Sequence, residues 1–172
     1  MKEKNKVIIF IAVIVVLFIG LFSLGRPGKN EKKEISADSG QASVVSVLKA
    51  AETFYDFGTI SMKNGDVSKT FKVTNENGAD VLIQSLTTSC MCTKAYFTEL
   101  NGNKSGPFGM PGMGVVPKLN KTIKAGESAN IEVVYDPNAH GPAGVGMIDR
   151  FVYLEDANGN KLQFEIKANV TP

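Results

Sequence analysis

Hydrophobic and polar residues alternate with a period of two over much of the chain after residue 52. From Leu162 to Val170, apolar side chains occupy every second position, which is typical of a half-buried β-strand. Seven segments that alternate or are rich in β-forming residues are predicted as strands: Phe54–Ile60, Val67–Asn75, Val81–Thr88, Ala95–Thr98, Ala129–Tyr135, Ile148–Glu155 and Leu162–Val170. Turn-forming residues separate them, so we predict an all-β domain over residues 52–172, an antiparallel β-sandwich of about seven strands.

The start of the chain has a different pattern. Val7 to Leu24 is an uncharged run, which as a helix would be roughly 27 Å long and would match the hydrocarbon core of a bilayer. We therefore predict a short basic tail over residues 1–6, one transmembrane helix over 7–24 and a flexible linker over 25–51. A cleaved signal peptide is the alternative, although its apolar core is usually shorter, about 7–15 residues. Residues 43–51 fit either a short helix or a leading strand.

Charge is distributed unevenly along the chain. Residues 1–51 carry eight Lys and Arg against four Asp and Glu, whereas residues 52–172 carry eleven against thirteen. The predicted β-domain is mildly acidic, which argues against nucleic acid as a partner. Three lysines precede the apolar run and four basic residues follow it, so the positive-inside rule does not fix the orientation. The predicted partner is the membrane, through Val7–Leu24.

A long interruption separates the fourth and fifth predicted strands. It contains the sequence GPFGMPGMGVVP, and we assign a Gly/Met-rich insert at about residues 99–122. A loop of this length in a compact domain is either functional or flexible.

No arrangement typical of an enzyme is visible in the sequence. Nucleophilic catalysis needs a base that a third group orients, and the single histidine, His140, lies in a glycine-rich loop. No nucleophile elbow, phosphate-binding loop or zinc-protease motif is present. We therefore expect no catalytic residues.

Cys90 and Cys92 have three interpretations. They fit two small apolar side chains at a strand end. They also fit a thiol-redox pair, although a disulfide between residues i and i+2 would need a turn. Finally, they fit ligands of a soft metal ion, because Cu(I) favours thiolate and thioether ligands and the insert carries Met110 and Met113.

The order of the strands predicts which loops meet. If seven strands alternate in direction, the loop with Cys90 and Cys92 shares an end of the sandwich with the 138–147 loop, within about 10–12 Å. The loop with Met110 and Met113 is expected to leave from the opposite end, although a chain of its length can climb the sandwich. The candidate Cu(I) ligands are Cys90, Cys92, His140, Met110 and Met113.

Several short motifs occur in a recognisable order. They are Tyr55-Asp56-Phe57-Gly58-Thr59-Ile60, Phe71-Lys72-Val73-Thr74-Asn75, Ser89-Cys90-Met91-Cys92-Thr93, Lys124-Ala125-Gly126-Glu127-Ser128, Val133-Val134-Tyr135-Asp136-Pro137 and Ile166-Lys167-Ala168-Asn169-Val170. This order resembles the bacterial family known as domain of unknown function 1573, over about residues 52–172 without the insert. Two features depart from the family: Met91 stands where glycine is usual, and the insert is additional.

The resemblance implies an immunoglobulin-like domain at the cell surface or in the periplasm, distantly similar to the domains of Hydin-type proteins. The family has no settled activity, so the resemblance informs the fold more than the function. We expect a membrane-anchored, extracytoplasmic immunoglobulin-like module with a non-catalytic binding or scaffolding role and an unidentified protein partner. The alternative is an extracytoplasmic copper-binding or thiol-redox protein that uses the C-x-C motif.

Overall fold

The computed structural model describes residues 47–114 and 117–172. These residues form ten β-strands and no α-helix. The strands, β1 to β10 in chain order, are Leu48–Ala50, Phe54–Ser61, Val67–Asn75, Val81–Thr88, Thr93–Thr98, Lys104–Phe108, Lys121–Ile123, Ser128–Tyr135, Gly146–Asp156 and Lys161–Thr171. The predicted basic tail and the transmembrane segment Val7–Leu24 lie outside the described residues. Within the described residues, no helix is long and apolar enough to cross a membrane.

The strands form two five-stranded sheets with one core between them. The first sheet has the order β1-β3-β8-β5-β6 and the second the order β2-β10-β9-β4-β7. Phe71 on β3 stacks on Phe164 on β10, with ring centroids 4.9 Å apart, and both rings are fully buried. The predicted all-β sandwich is therefore confirmed, because apolar faces of both sheets contribute to a single core.

All seven predicted strands are present, and they are β2 to β5 and β8 to β10. The short strand β1 lies in residues 43–51, for which the sequence left a short helix and a leading strand open, and the structure has the strand. It pairs with β3, and its Leu48 is only 3% exposed. The predicted linker over residues 25–51 therefore extends too far: the sandwich includes Leu48–Ala50.

The insert contributes one edge strand to each sheet. Strand β6 pairs with β5 in the first sheet, and β7 pairs with β4 in the second. Gly106 allows β6 to approach β5 closely, because a Cβ at this position would lie 2.9 Å from the backbone oxygen of Ala95. Sequence reasoning missed β6 because glycine and proline interrupt its alternation, and it missed β7 because three residues are too few to show one.

One pairing departs from the predicted antiparallel arrangement. Strand β2 runs parallel to β10, with Tyr55 opposite Ile166 and Ile60 opposite Val170. Among the strands that the structure describes, these two are the second and the last, so no tight turn constrains their relative direction. The sandwich is therefore mixed, and the prediction of a purely antiparallel sandwich is wrong at this edge.

Candidate functional site

The two cysteines lie in a tight turn between β4 and β5. The backbone N–H of Thr93 donates to the carbonyl oxygen of Cys90 at 3.1 Å, which closes a four-residue turn. This turn brings the Cα atoms of Cys90 and Cys92 to 5.3 Å, within the usual range for a disulfide, and the structure joins the two side chains by one. The requirement for a turn, expected from the i, i+2 spacing, is met.

Two residues at the end of β4, Thr88 and the following Ser89, fix the cysteine turn by hydrogen bonds. The buried hydroxyl of Thr88 lies 3.0 Å from the carbonyl oxygen of Cys90 and 3.1 Å from that of Thr93. Ser89 exchanges two hydrogen bonds with the backbone of Phe151 on β9: its N–H donates to the carbonyl, and its hydroxyl accepts from the N–H, both at 2.9 Å. The turn is thereby fixed to the second sheet.

The loop between β8 and β9 brings His140 to the cysteine turn. Asp136 begins this loop by accepting a hydrogen bond from the N–H of Asn138 at 2.8 Å, and the Asn138 side chain donates to the carbonyl oxygen of Met62 at 2.9 Å. His140 Nε2 lies 3.2 Å from Cys90 Sγ. The predicted proximity of Cys90, Cys92 and His140 is confirmed, since one ligand atom from each lies within 4.8 Å of the others.

Arg150 on β9 contacts the second sulfur, which sequence reasoning missed. Its Nε donates to Cys92 Sγ at 3.2 Å, and its Nη1 donates to the carbonyl oxygen of Asp149 at 2.8 Å. A signal for it existed in the strand pattern. Arg150 shares its face of β9 with the buried Ile148 and Val152, and a charged residue at an inward-facing position is unusual.

The two sulfurs differ in exposure. Cys92 is only 2% exposed and belongs to the core, whereas Cys90 is half-buried and His140 is exposed. A reagent in solution therefore meets Cys90 first. Of the interpretations from sequence, that of two packed apolar side chains fits Cys92 better than Cys90.

Tyr135 places a buried phenol at the end of the core that carries the cysteine turn. It pairs with Thr93 across β8 and β5 and is 1% exposed. Burial raises the pKa of its hydroxyl above 10.0, while the positive charge of Arg150 lowers that pKa and the carboxylate of Asp136 raises it by smaller amounts. The charge of Arg150 therefore favours the ionised form of Tyr135, in addition to the hydrogen bond that Arg150 donates to Cys92.

The methionines of the insert lie at the same end as the cysteines, which corrects the prediction that they leave from the opposite end. Met110 and Met113, together with Met91, line a groove of about 330 Å³. The reason is strand β6, which runs antiparallel to β5 and returns the chain to the turn, where the Gly109 carbonyl accepts from the N–H of Thr88 at 3.2 Å.

This arrangement can support thiol chemistry. In the oxidised form the sulfurs are bonded to each other and their electron pairs are poor metal ligands, because thiolates are what soft metals bind. In the reduced form the same atoms become two thiols beside an imidazole and a guanidinium. The chemistry of the site therefore depends on its redox state.

A family comparison covers the cysteine turn. Residues 48–105 match the family model described as protein of unknown function, DUF1573. The resemblance seen in the sequence is thereby confirmed. The matched segment runs from β1 into β6, so it includes Cys90 and Cys92 but neither His140 nor Arg150. No curated protein matches the chain.

Solved structures with a similar fold have very different sequences. A protein of unknown function from Porphyromonas gingivalis W83 is 15% identical with a TM-score of 0.52, over 78% of this chain and 51% of that one. This chain thus spans about half the length of that protein. The ASH/PapD-like domain of human CEP192 is 11% identical with a TM-score of 0.44, over 84% of this chain and 98% of that domain. The YadV chaperone is 10% identical with a TM-score of 0.45, over 74% of this chain and 53% of that one. The first likeness supports the fold.

Proposed function

We propose that the chain is a membrane-anchored, extracytoplasmic immunoglobulin-like module that acts by binding, without catalytic turnover, and that its Cys90–Cys92 turn is a reversible thiol–disulfide element. One observation carries the redox part of the proposal. Each sulfur of the disulfide has its own polar partner, His140 at 3.2 Å from Cys90 and Arg150 at 3.2 Å from Cys92. A disulfide that served only as a staple would need neither partner.

The partners favour reduction in a defined order. An external dithiol attacks the more accessible Cys90 sulfur through its thiolate, the Cys90–Cys92 bond breaks, and Cys92 leaves as a thiolate. The guanidinium of Arg150, which is always charged, stabilises that leaving group. The second thiol of the reagent then releases Cys90, whose sulfur lies beside His140, and the reagent departs as a disulfide while both cysteines end as thiols.

The redox part is tested by measuring the reduction equilibrium of the purified full-length chain in detergent micelles. The protein is equilibrated with mixtures of reduced and oxidised dithiothreitol, and its thiols are counted by the mass added on alkylation. Arg150→Gln removes the charge beside Cys92, so we expect the equilibrium to shift ~10-fold toward the disulfide. Lys161→Gln is the matched control, because Lys161 lies at the other end of the β9–β10 hairpin, opposite Glu155. Equal equilibria for Arg150→Gln and the unmodified chain would contradict the proposal.

Anchoring and location rest on the sequence pattern. The uncharged run Val7–Leu24 has the length of a bilayer span, and the disulfide is typical of an oxidising compartment. A phosphatase reporter fused after Pro172 is expected to be active, and a fluorescent reporter that folds only in the cytoplasm to stay dark. The reverse result would place the cysteines where cellular reductants keep thiols reduced, and it would contradict the location.

The binding role rests on the site and on the sequence together. The sequence has no catalytic motif, and the cysteine turn adjoins the groove formed around Met91, Met110 and Met113, of which Met91 and Met113 are 48% and 58% exposed. Flexible, polarisable methionine side chains suit contact surfaces that adapt to a partner. A turnover reaction that survives purification and disappears in the Cys90→Ser/Cys92→Ser variant would contradict this role.

A further inference from the structure

We infer that reduction of the disulfide converts Cys90, Cys92 and His140 into a three-coordinate site for Cu(I). The inference rests on the proposed thiol–disulfide couple. Its basis is the convergence of two thiol sulfurs and one imidazole nitrogen, all within 4.8 Å of one another, from two loops at one end of the sandwich. The two loops are fixed separately, the cysteine turn by Ser89 and the histidine loop by Asn138.

The spacing of these atoms suits a trigonal site once the sulfur–sulfur bond is broken. Metal–sulfur bonds of about 2.3 Å, the length found in zinc thiolates, place two ligands of a trigonal site about 4 Å apart. Cys90 and Cys92 have Cα atoms 5.3 Å apart, so small side-chain rotations bring their sulfurs to that separation. His140 Nε2 already lies 3.2 Å from one sulfur. The backbone of the turn therefore needs little rearrangement.

The number and type of ligands favour Cu(I) over zinc. Structural zinc sites are closed by four protein ligands in a tetrahedron. Among the residues that the structure describes, no fourth His, Cys, Asp or Glu joins this group. Soft thiolate ligands select Cu(I), which is satisfied by two or three of them. A trigonal set of two thiolates and one imidazole therefore fits Cu(I).

Charge balance also supports the site. Two thiolates and one Cu(I) ion form a centre with a net charge of −1, and the guanidinium of Arg150 is in contact with Cys92 Sγ to neutralise it. Access for the ion comes from the exposed side of the cluster, where His140 is exposed and Cys90 is half-buried. The buried Cys92 gives the site a fixed inner ligand.

The reaction has two steps that balance. In the first, the disulfide takes two electrons and two protons from an external dithiol, which becomes a disulfide itself. In the second, the two cysteine thiols release two protons as they bind Cu(I), and neutral His140 adds its ring nitrogen without releasing a proton. The copper stays in the +1 state throughout.

The test is a competition for copper under anaerobic conditions. Full-length chain in detergent micelles is reduced with dithiothreitol, freed of the reductant and titrated with Cu(I) held by bathocuproine disulfonate. We expect one copper per reduced chain and none per oxidised chain. His140→Ala is expected to weaken binding at least ~10-fold, since removing a partner that merely orients a ligand already costs ~10- to 100-fold. Met147→Leu, a change at a 74% exposed methionine, is the control and should leave affinity unchanged.

Two further arms keep the test decisive. Reduced chain alkylated with iodoacetamide keeps its sequence and loses its thiolates, so it should bind no copper even if a Cys90→Ser/Cys92→Ser variant fails to fold. In a titration with Zn²⁺ against a zinc indicator, the reduced chain should retain zinc much more weakly than it retains Cu(I). Two titratable thiols without copper binding, or equal retention of zinc, would overturn the copper site and leave the redox couple standing. A disulfide that resists dithiothreitol in the folded chain would overturn both.

Discussion

Replacing Asn75, at the end of β3, should weaken the link between the two sheets. It is fully buried, and its Nδ2 donates to the carbonyl oxygens of Ala79 and of Ile123, each at 2.9 Å. Its Oδ1 accepts from the N–H of Asn77 at 3.0 Å. Because Ile123 belongs to β7 in the second sheet, one amide group ties the end of one sheet to the edge of the other.

Asn75→Asp keeps the shape and the acceptor but removes both donors. Losing two buried hydrogen bonds costs about 1 kcal/mol each, and two carbonyl oxygens then face a buried carboxylate with no compensating charge. We expect the free energy of unfolding to fall by about 4 kcal/mol near pH 7. The loss should shrink as pH falls from 7 to 4, because burial without a compensating charge raises the pKa of the new carboxyl group, and its protonated form regains one donor.

The assay is urea unfolding followed by far-UV circular dichroism at both pH values. Asn169→Asp is the control, since Asn169 is exposed on β10 and lies opposite the uncharged Thr59 and Met147. The control should change stability by less than about 0.5 kcal/mol. A loss below 1 kcal/mol for Asn75→Asp, or a loss that grows at low pH, would refute the reasoning.

Two further predictions concern the core and the β5–β6 edge. Because the pKa of Tyr135 is raised in the folded state, its contribution to stability is fully present below about pH 10 and is lost as pH rises through the folded-state pKa. Tyr135→Phe should therefore flatten the fall of the unfolding free energy above about pH 10, measured by urea unfolding at several pH values. Parallel plots of unfolding free energy against pH for the variant and the unmodified chain would contradict this. Gly106→Ala should lower the free energy of unfolding by about 1–3 kcal/mol in the same assay, because φ is +126° and the new Cβ would lie 2.9 Å from the Ala95 oxygen. Gly109→Ala is the control and should be nearly neutral, because a Cβ at Gly109 would have no atom within 4 Å. Equal losses for the two alanine variants would contradict the steric explanation.

Seven of the ten strands in the described part of the chain could be predicted, because each is long enough to show the alternation that follows from side chains pointing to opposite faces. Strands β1 and β7, with three residues each, carry no such pattern. The parallel pairing of β2 with β10 joins segments more than a hundred residues apart, and nothing local records it. Local patterns thus predict elements, whereas the pairing of distant elements depends on the whole chain.

Part of the candidate site could also be predicted from local patterns. Strand order alone brought Cys90 and His140 to one end, because successive antiparallel strands reverse direction. The position of Met110 depended on β6, which the insert conceals, and this error followed directly from the missed strand. Arg150 required the inward parity of β9 to be combined with the location of the cysteine turn. A charged residue at a core-facing position indicates a polar partner nearby, which for Arg150 is the sulfur of Cys92.

The single residue between the two cysteines has a thermodynamic consequence. A disulfide stabilises a fold chiefly by restricting the unfolded chain, and the restriction grows with the length of the loop that it closes. The cysteines have a sequence separation of 2, so the closed loop counts three residues with both cysteines included, and the entropy withheld from the unfolded chain is worth only about 1.6 kcal/mol, against about 3 kcal/mol for a 15-residue loop. The sandwich can therefore stay folded in both oxidation states, so the disulfide can be reduced and formed again while the domain remains folded.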